Sequence, residues 1–369
     1  MAKNSTFRLW LTLPLILMTA AMMLQPEKTV AAAGKALSLW AGAVVPSLLP
    51  FFILADLLVK LGAARLAGKG LAPLMRPLFD LPGAAALGLV MGFCSGFPTG
   101  AAVAAELRRE GAVTAEEGGR LLAFTNNAGP LFVTATVTSA LLELPEAAAL
   151  MCAGHYGMNL LLGVFLGRLS RAGRGGREKA VPHPEPAAAA PPPPLAELMK
   201  AAAQRAAANL MLIGCYMAFF AVAAALLAPD RAGSPLLRAG ISGLLEMSLG
   251  INALAESGLE TAVLLPLIGA ELAFGGLSVQ MQVLAMTADT DISPRLYLLS
   301  RPLHAALSAL FIRAMLPLVD LPRQASVIRA SVTPAGACRL FRRSLYQAGL
   351  IAACWWLAAL LAPEEERRG

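Results

Sequence analysis

Gly92-Phe93-Cys94-Ser95-Gly96-Phe97-Pro98-Thr99-Gly100-Ala101 stands in the middle of 83–105, a run of apolar and small residues that carries no charge. A helical run of about 20 such residues is what crossing the hydrocarbon core of a bilayer requires. The decapeptide interrupts it. Pro98 has no amide to donate and clashes with the preceding turn, while Gly96 and Gly100 accept dihedrals closed to other residues. Unpaired backbone is costly in hydrocarbon, so a break here predicts that protein or a water-filled cavity surrounds it. A half-helix starting near Thr99 would aim free amides and partial positive charge into that cavity, a ready anion site. Ser95, Gly96, Pro98, Thr99 and Gly100 are therefore candidate substrate-binding residues. The competing reading is a proline kink packed against a neighbouring helix.

The composition around this stretch agrees with a membrane setting. Of 369 residues, 57% are apolar and 14% charged, whereas soluble domains run nearer half and a quarter. Spans are expected at 7–24, 38–61, 119–142, 146–168, 206–228, 295–318 and 344–362, with interrupted segments at 83–105 and 261–286. The first span reads as a retained signal-anchor helix, because Gln25-Pro26-Glu27 is a poor cleavage site. The net charge of +7 sits in loops, where it orients the protein and implies no nucleic acid. Five dispersed cysteines show neither disulfide nor metal-ligand spacing. No motif of nucleophile, zinc or nucleotide chemistry occurs, so no catalytic residue, metal or cofactor is expected, and the chain is not read as an enzyme.

The chain divides into an N-terminal anchor and loop (1–37), a first membrane repeat with a connecting helix (38–168), a basic Pro/Ala-rich linker (169–200), a second repeat (201–320), and an Arg-rich loop with a last helix (321–369). The linker carries Arg171, Arg174, Arg177 and Lys179 before Pro191-Pro192-Pro193-Pro194, an extended cytoplasmic spacer. In each half a span and an amphipathic stretch precede an interrupted segment and another span. The charge rule favours 83–105 as a re-entrant hairpin, since Arg108 and Arg109 then stay inside with the linker. The same count makes 261–286 a hairpin entered from outside, with 235–257 along the surface. The fold class is therefore an all-α polytopic membrane protein, with about seven spans and two re-entrant hairpins in an inverted repeat. Residues 110 and 289 would lie on opposite faces.

Further candidates follow from polar residues at membrane depth. Thr125-Asn126-Asn127-Ala128-Gly129-Pro130 is a second break, where Asn126 and Asn127 could cap the broken helix and bind substrate, or serve as interhelical glue. Gly275-Gly276 would be the tip of the second hairpin, with Ser278 and Gln280 beyond it. Glu271 is a proton or cation site, or a partner for Arg301; His304 would line the cavity or pack as a satisfied core residue. Glu246 and Asn252 fit an exposed amphipathic face. A transporter of a small solute, with carboxylates favoured, stands against a scaffold that recruits partners through its basic loops.

The run 92–101, followed by Gly111-Ala112-Val113-Thr114-Ala115-Glu116-Glu117 and Phe124-Thr125-Asn126-Asn127-Ala128-Gly129-Pro130-Leu131-Phe132, resembles the bacterial sporulation integral membrane proteins with Gate (nucleoside-recognition) domains. Val45-Pro46-Ser47-Leu48-Leu49-Pro50-Phe51-Phe52 fits the same family. The likeness covers most of 38–320 and is looser in the second half, where no proline follows the glycines. It implies a spore-forming bacterium, the mother-cell or outer forespore membrane, and movement of dipicolinate toward the forespore. The Gate name implies nucleosides as the alternative solute, read by groups such as Asn127 and Glu271. Homo-oligomers and other sporulation membrane proteins stand open as partners.

Overall fold

Apolar runs become helices, several of them with a proline inside, such as Pro50 in Val45–Lys60 and Pro266 in Thr261–Phe274. The computed structural model describes residues 2–173, 193–228, 234–319 and 321, and among them there is no strand. Helix α1 (Ala2–Leu24) is followed by α2 (Pro26–Leu39) and α3 (Val45–Lys60), joined through a π-helical stretch, and then by α4 (Ala63–Phe79). The chain turns by 90° after α4 and enters α5 (Ala86–Ser95), α6 (Thr99–Arg109) and α7 (Ala115–Thr125). A π-helical segment, Phe132–Leu141, precedes one helical run, Pro145–Gly173, whose α-helical parts are α8 (Ala148–Cys152) and α9 (Met158–Gly173). After the linker come α10 (Leu195–Leu227), α11 (Pro235–Leu245), α12 (Met247–Ala255), α13 (Thr261–Phe274), α14 (Gly276–Thr287) and α15 (Arg295–Met315).

Three described helices are long and apolar enough to cross a membrane: Pro145–Gly173, Leu195–Leu227 and Thr261–Thr287. The bent pair Gly70–Phe79 and Gly83–Ser95 is a fourth candidate. The expected span 344–362 lies outside the described residues, as does most of the 169–200 linker.

Helix α10 packs on α2, α3 and α14, while α15 packs on α13, α7 and α9. Leu48 and Phe52 of α3 meet Leu210, Ile213 and Met217 of α10 in one apolar cluster. Ile251, Leu265, Ile268 and Ile312 join Val133 and Val137 in another. Helix α7 starts on a cap at Thr114. The Thr114 hydroxyl accepts from the Glu117 amide at 3.2 Å, and the Glu117 carboxylate accepts from the Thr114 amide at 2.8 Å, a reciprocal cap.

The first interrupted segment does fold back. Gly92 and Gly100, equally distant from Gly96, come so close that a Cβ on Gly92 would lie 3.2 Å from the Gly100 Cα. The second behaves differently. Gly275 is left-handed (φ 81°), yet α14 resumes at once and the two helices form one 27-residue run. Glycine permits a reversal without imposing one. The fold-back of the second half lies one element earlier, in the stretch read as a surface helix. There Glu246 is extended (φ −143°, ψ 113°) between α11 and α12, and a Cβ on Gly250 would sit 2.3 Å from the Gly243 Cα.

This change of position moves the chain ends. Arg109 and Asp289 pair at 2.9 Å, and Arg108 grips Asp291 at 2.7 and 2.8 Å. A hydrocarbon core about 30 Å thick cannot separate them. Residues 110 and 289 therefore share one face, which corrects the opposite-face expectation. The physical reason is that Thr261–Thr287 runs on as one helix rather than folding back.

Candidate functional site

The two breaks of the first half are built against each other. Helix α5 ends because Gly96 takes φ 92°, a region closed to ordinary side chains. The Phe97 amide then donates to the Asn127 carbonyl at 2.7 Å. Two residues into α6, the Ala101 amide donates to the Asn126 side-chain oxygen at 2.9 Å. Asn126 thus caps a helix to which it does not belong, using one of the orphan donors of the α6 N-terminus.

The end of α7 can be accounted for carbonyl by carbonyl. Leu122 O accepts from the Asn126 side-chain Nδ2 at 2.8 Å. Ala123 O accepts from the Ser300 hydroxyl at 3.0 Å and from the Arg301 guanidinium. Phe124 O accepts from the Asn159 amide at 2.7 Å. Thr125 O lies over two glycines, where a Cβ would come within 2.0 Å at Gly92 and 2.3 Å at Gly100. Beyond the helix, Asn126 O accepts from Arg301 at 3.0 Å and Ala128 O from the Tyr156 hydroxyl at 2.7 Å. The Ala128 amide donates to His155 Nε2 at 3.0 Å. Apart from the Thr125 carbonyl, these main-chain groups of a break that would be prohibitive in lipid are met by protein.

Ser95, Gly96, Pro98, Thr99, Gly100, Asn126 and Asn127 are therefore brought together. The Ser95 hydroxyl turns back to the Met91 carbonyl at 2.7 Å. The Thr99 hydroxyl is fully buried and, among the described residues, has no hydrogen-bond partner. Gly275 reaches this assembly through Phe97, whose ring would lie 3.7 Å from a Cβ at that glycine. Gly276 faces the other way, toward the Gly243 carbonyl and the Met247 amide. Ser278 and Gln280 are buried on α14 and bond locally: Gln282 donates to the Ser278 hydroxyl at 3.3 Å, and Gln280 to the Phe274 carbonyl at 3.5 Å.

The expected Glu271–Arg301 pair does not form. Arg301 is 1% exposed and bonds to carbonyls of the α7 break, the Ser300 hydroxyl and Asn159. Glu271 instead lies over Gly243, where a Cβ would meet its carboxylate oxygen at 2.0 Å. His304 is buried against the His155 carbonyl at 2.8 Å, a satisfied core position. Glu246, read as exposed, is 6% exposed and caps α12 through the Leu249 amide at 2.9 Å.

Sequence reasoning missed His155, Tyr156 and Asn159. The available signal was polar residues inside the otherwise apolar run 146–168. It also missed a cavity of about 420 Å³ between α3, α6, α10 and α14. Asp56, Lys60, Glu106, Arg109, Arg205 and Asp289 line it. Arg205 bonds Asp56 at 2.6 Å, and Lys60 and Arg109 each reach Glu106 at 2.6 Å. Opposite charges from α3, α6, α10 and the turn after α14 meet at that end of the bundle.

A helical bundle with several long apolar helices and many large hydrophobic side chains left exposed, holding a broken helix on a folded-back pair, is an integral membrane protein. Residues 41–171 match the Gate family model, described as nucleoside recognition. The chain is 30% identical over 332 residues to the sporulation integral membrane protein YlbJ of Bacillus subtilis (strain 168), covering 80% of each chain. It belongs to the family of sporulation integral membrane proteins with Gate domains. No solved structure matches it.

Proposed function

We propose that the chain is a membrane carrier for a small anionic metabolite, bound where the α5–α6 tip meets the break after α7. The observation that carries this is the Asn126 side-chain oxygen on the Ala101 amide at 2.9 Å. An oxygen acceptor already occupies the electropositive start of α6, which is where a carboxylate oxygen would be stabilised. Ser95, Gly96, Pro98, Thr99, Gly100, Asn126 and Asn127 form the site, and the Thr99 hydroxyl is its free donor. The Gly275–Gly276 break borders it through Phe97. Ser278 and Gln280 belong to its outer wall.

Part of this reading is an inverted repeat. The α5–α6 hairpin followed by the broken α7 pairs with the α11–α12 hairpin followed by the broken α13–α14. Such pairs build binding sites at the bilayer midplane in secondary transporters. The named relative is a sporulation membrane protein, so the solute proposed is dipicolinate, moved from mother cell to forespore across the membrane between them. The description of the matched family model, nucleoside recognition, supports the second reading: a nucleoside solute in the same site.

Purified protein in vesicles, offered dipicolinate, other dicarboxylates and nucleosides, tests both. Uptake of dicarboxylates is expected to exceed that of nucleosides. Asn126→Ala should abolish it while the protein still inserts, and normal uptake by that variant would refute the site.

A further inference from the structure

Arg301 is a fully buried cation whose partners are all uncharged among the described residues. Its guanidinium touches the Ala123 and Asn126 carbonyls, the Ser300 hydroxyl and the Asn159 oxygen, and its carbon lies 5.0 Å from the centre of the Tyr297 ring. His304 Nδ1 stands 3.5 Å away, and no described ion pair includes it. A buried charge normally needs a counter-charge or it is strongly disfavoured. Here the carbonyl end of α7, the negative pole of that helix, supplies only partial compensation.

The position of the charge is as informative as its isolation. Arg301 bonds the main-chain oxygen of Asn126 at 3.0 Å, and the side chain of that same residue caps α6 at Ala101. One residue therefore separates the guanidinium from the proposed binding position. The acidic side chains that could neutralise it are elsewhere: Glu271 lies over Gly243, and Glu246 caps α12. In a medium of low polarity a unit charge acts over such distances with little screening.

We propose that Arg301 is the positioning residue that makes the break at 126–129 select anions: it holds the carbonyls of α7 and supplies the positive charge a solute carboxylate balances. This rests on the carrier reading above and adds the origin of its charge preference. Arg301 reaches the site through the Asn126 carbonyl and through Asn159, which in turn bonds the Asn127 oxygen, so its signature is selectivity rather than mere loss of binding.

The test compares dipicolinate with its neutral diamide, of nearly the same shape, as ligands of the detergent-purified full chain. Arg301→Gln removes the charge and keeps a donor amide, whereas Arg301→Lys keeps the charge and loses the planar fork. Wild type should prefer the dicarboxylate. Arg301→Gln should narrow that preference by about tenfold, the order expected for one nearby charge. Arg301→Lys should retain the preference to within about threefold, even if it melts earlier. A purely structural role predicts weaker binding of both probes with an unchanged ratio, in Gln and Lys variants alike, and that result overturns the proposal. Should Arg301→Gln fail to fold, loss of the preference in folded Arg301→Lys overturns it equally. Wild type that binds neither probe refutes the carrier reading itself, a different outcome.

Discussion

The two halves interrupt their helices in the same order and stabilise the interruptions by different means. In the first, side chains do the work: Asn126, Asn159, Ser300, Arg301, His155 and Tyr156 each take a main-chain group left over by the break. In the second, besides the Glu246 cap on α12, the contacts are glycines that let backbone approach backbone, as Gly92 and Gly100 also do in the first. A Cβ on Gly276 would lie 2.7 Å from the Gly243 carbonyl, and one on Gly250 would lie 2.3 Å from the Gly243 Cα. Hydrogen bonding by side chains sets a geometry that a solute can compete for, whereas close backbone contact sets one by exclusion. The first break is thus suited to recognition and the second to packing.

The largest expected effect concerns how the halves sit in the membrane. Single cysteines at Glu110 and Asp289 should react with an impermeant thiol reagent from the same face, all or none. Labelling from opposite faces would destroy the pairing of hairpins on which the comparison stands.

Next comes Gly100→Leu, which forces a side chain into the Thr125 carbonyl. It should cost about 4 kcal/mol or more, seen as loss of a cooperative melt in detergent.

Gly276→Ala combines strain at φ 71° with a contact on the Gly243 carbonyl and should cost about 2 kcal/mol. The control is Gly240→Ala, where a Cβ meets nothing within 4 Å and the change should stay within about 0.5 kcal/mol. Equal melting shifts for the two alanines would show that the second break does not depend on glycine.

The smallest effect lies at the clasp joining α6 to the turn after α14. The Arg109 hydrogen bond holds the Asp289 carboxyl below the ordinary carboxylate range, and the Arg108 hydrogen bond does the same for Asp291. A depressed carboxyl contributes stability that is present above its unfolded pKa and is lost as pH falls through the folded one. Melting temperature should therefore decline below about pH 4, and less so in Asp289→Asn. Because these groups are exposed, a double-mutant cycle on Arg109 and Asp289 should give about 0.5 kcal/mol, less in high salt.

Much of the first half could be read without a structure, because its signals are chemical and local. Pro98 with Gly96 marks a chain interruption wherever it occurs, Thr114 with Glu117 spells a helix start, and two adjacent asparagines inside an apolar run require partners. The identity of those partners was not legible. Arg301 invited pairing with Glu271, the carboxylate read at membrane depth, whereas it bonds main-chain carbonyls, which every residue possesses and no sequence pattern distinguishes. The second fold-back was hidden for a related reason. Glu246 in an amphipathic stretch suggests a wet surface, yet it turns inward as a cap once Gly243 and Gly250 let α11 and α12 close over it. Helical periodicity says which face is apolar but not which element a glycine will let approach.

Asn126 has one more consequence. Its oxygen serves a helix in a neighbouring element, so withdrawing the hairpin leaves a bare N–H in dry surroundings, a loss of about 1–3 kcal/mol. On the carrier reading proposed above, a solute bringing an equivalent oxygen to the Ala101 amide would release the hairpin without that loss, which would couple opening to occupancy.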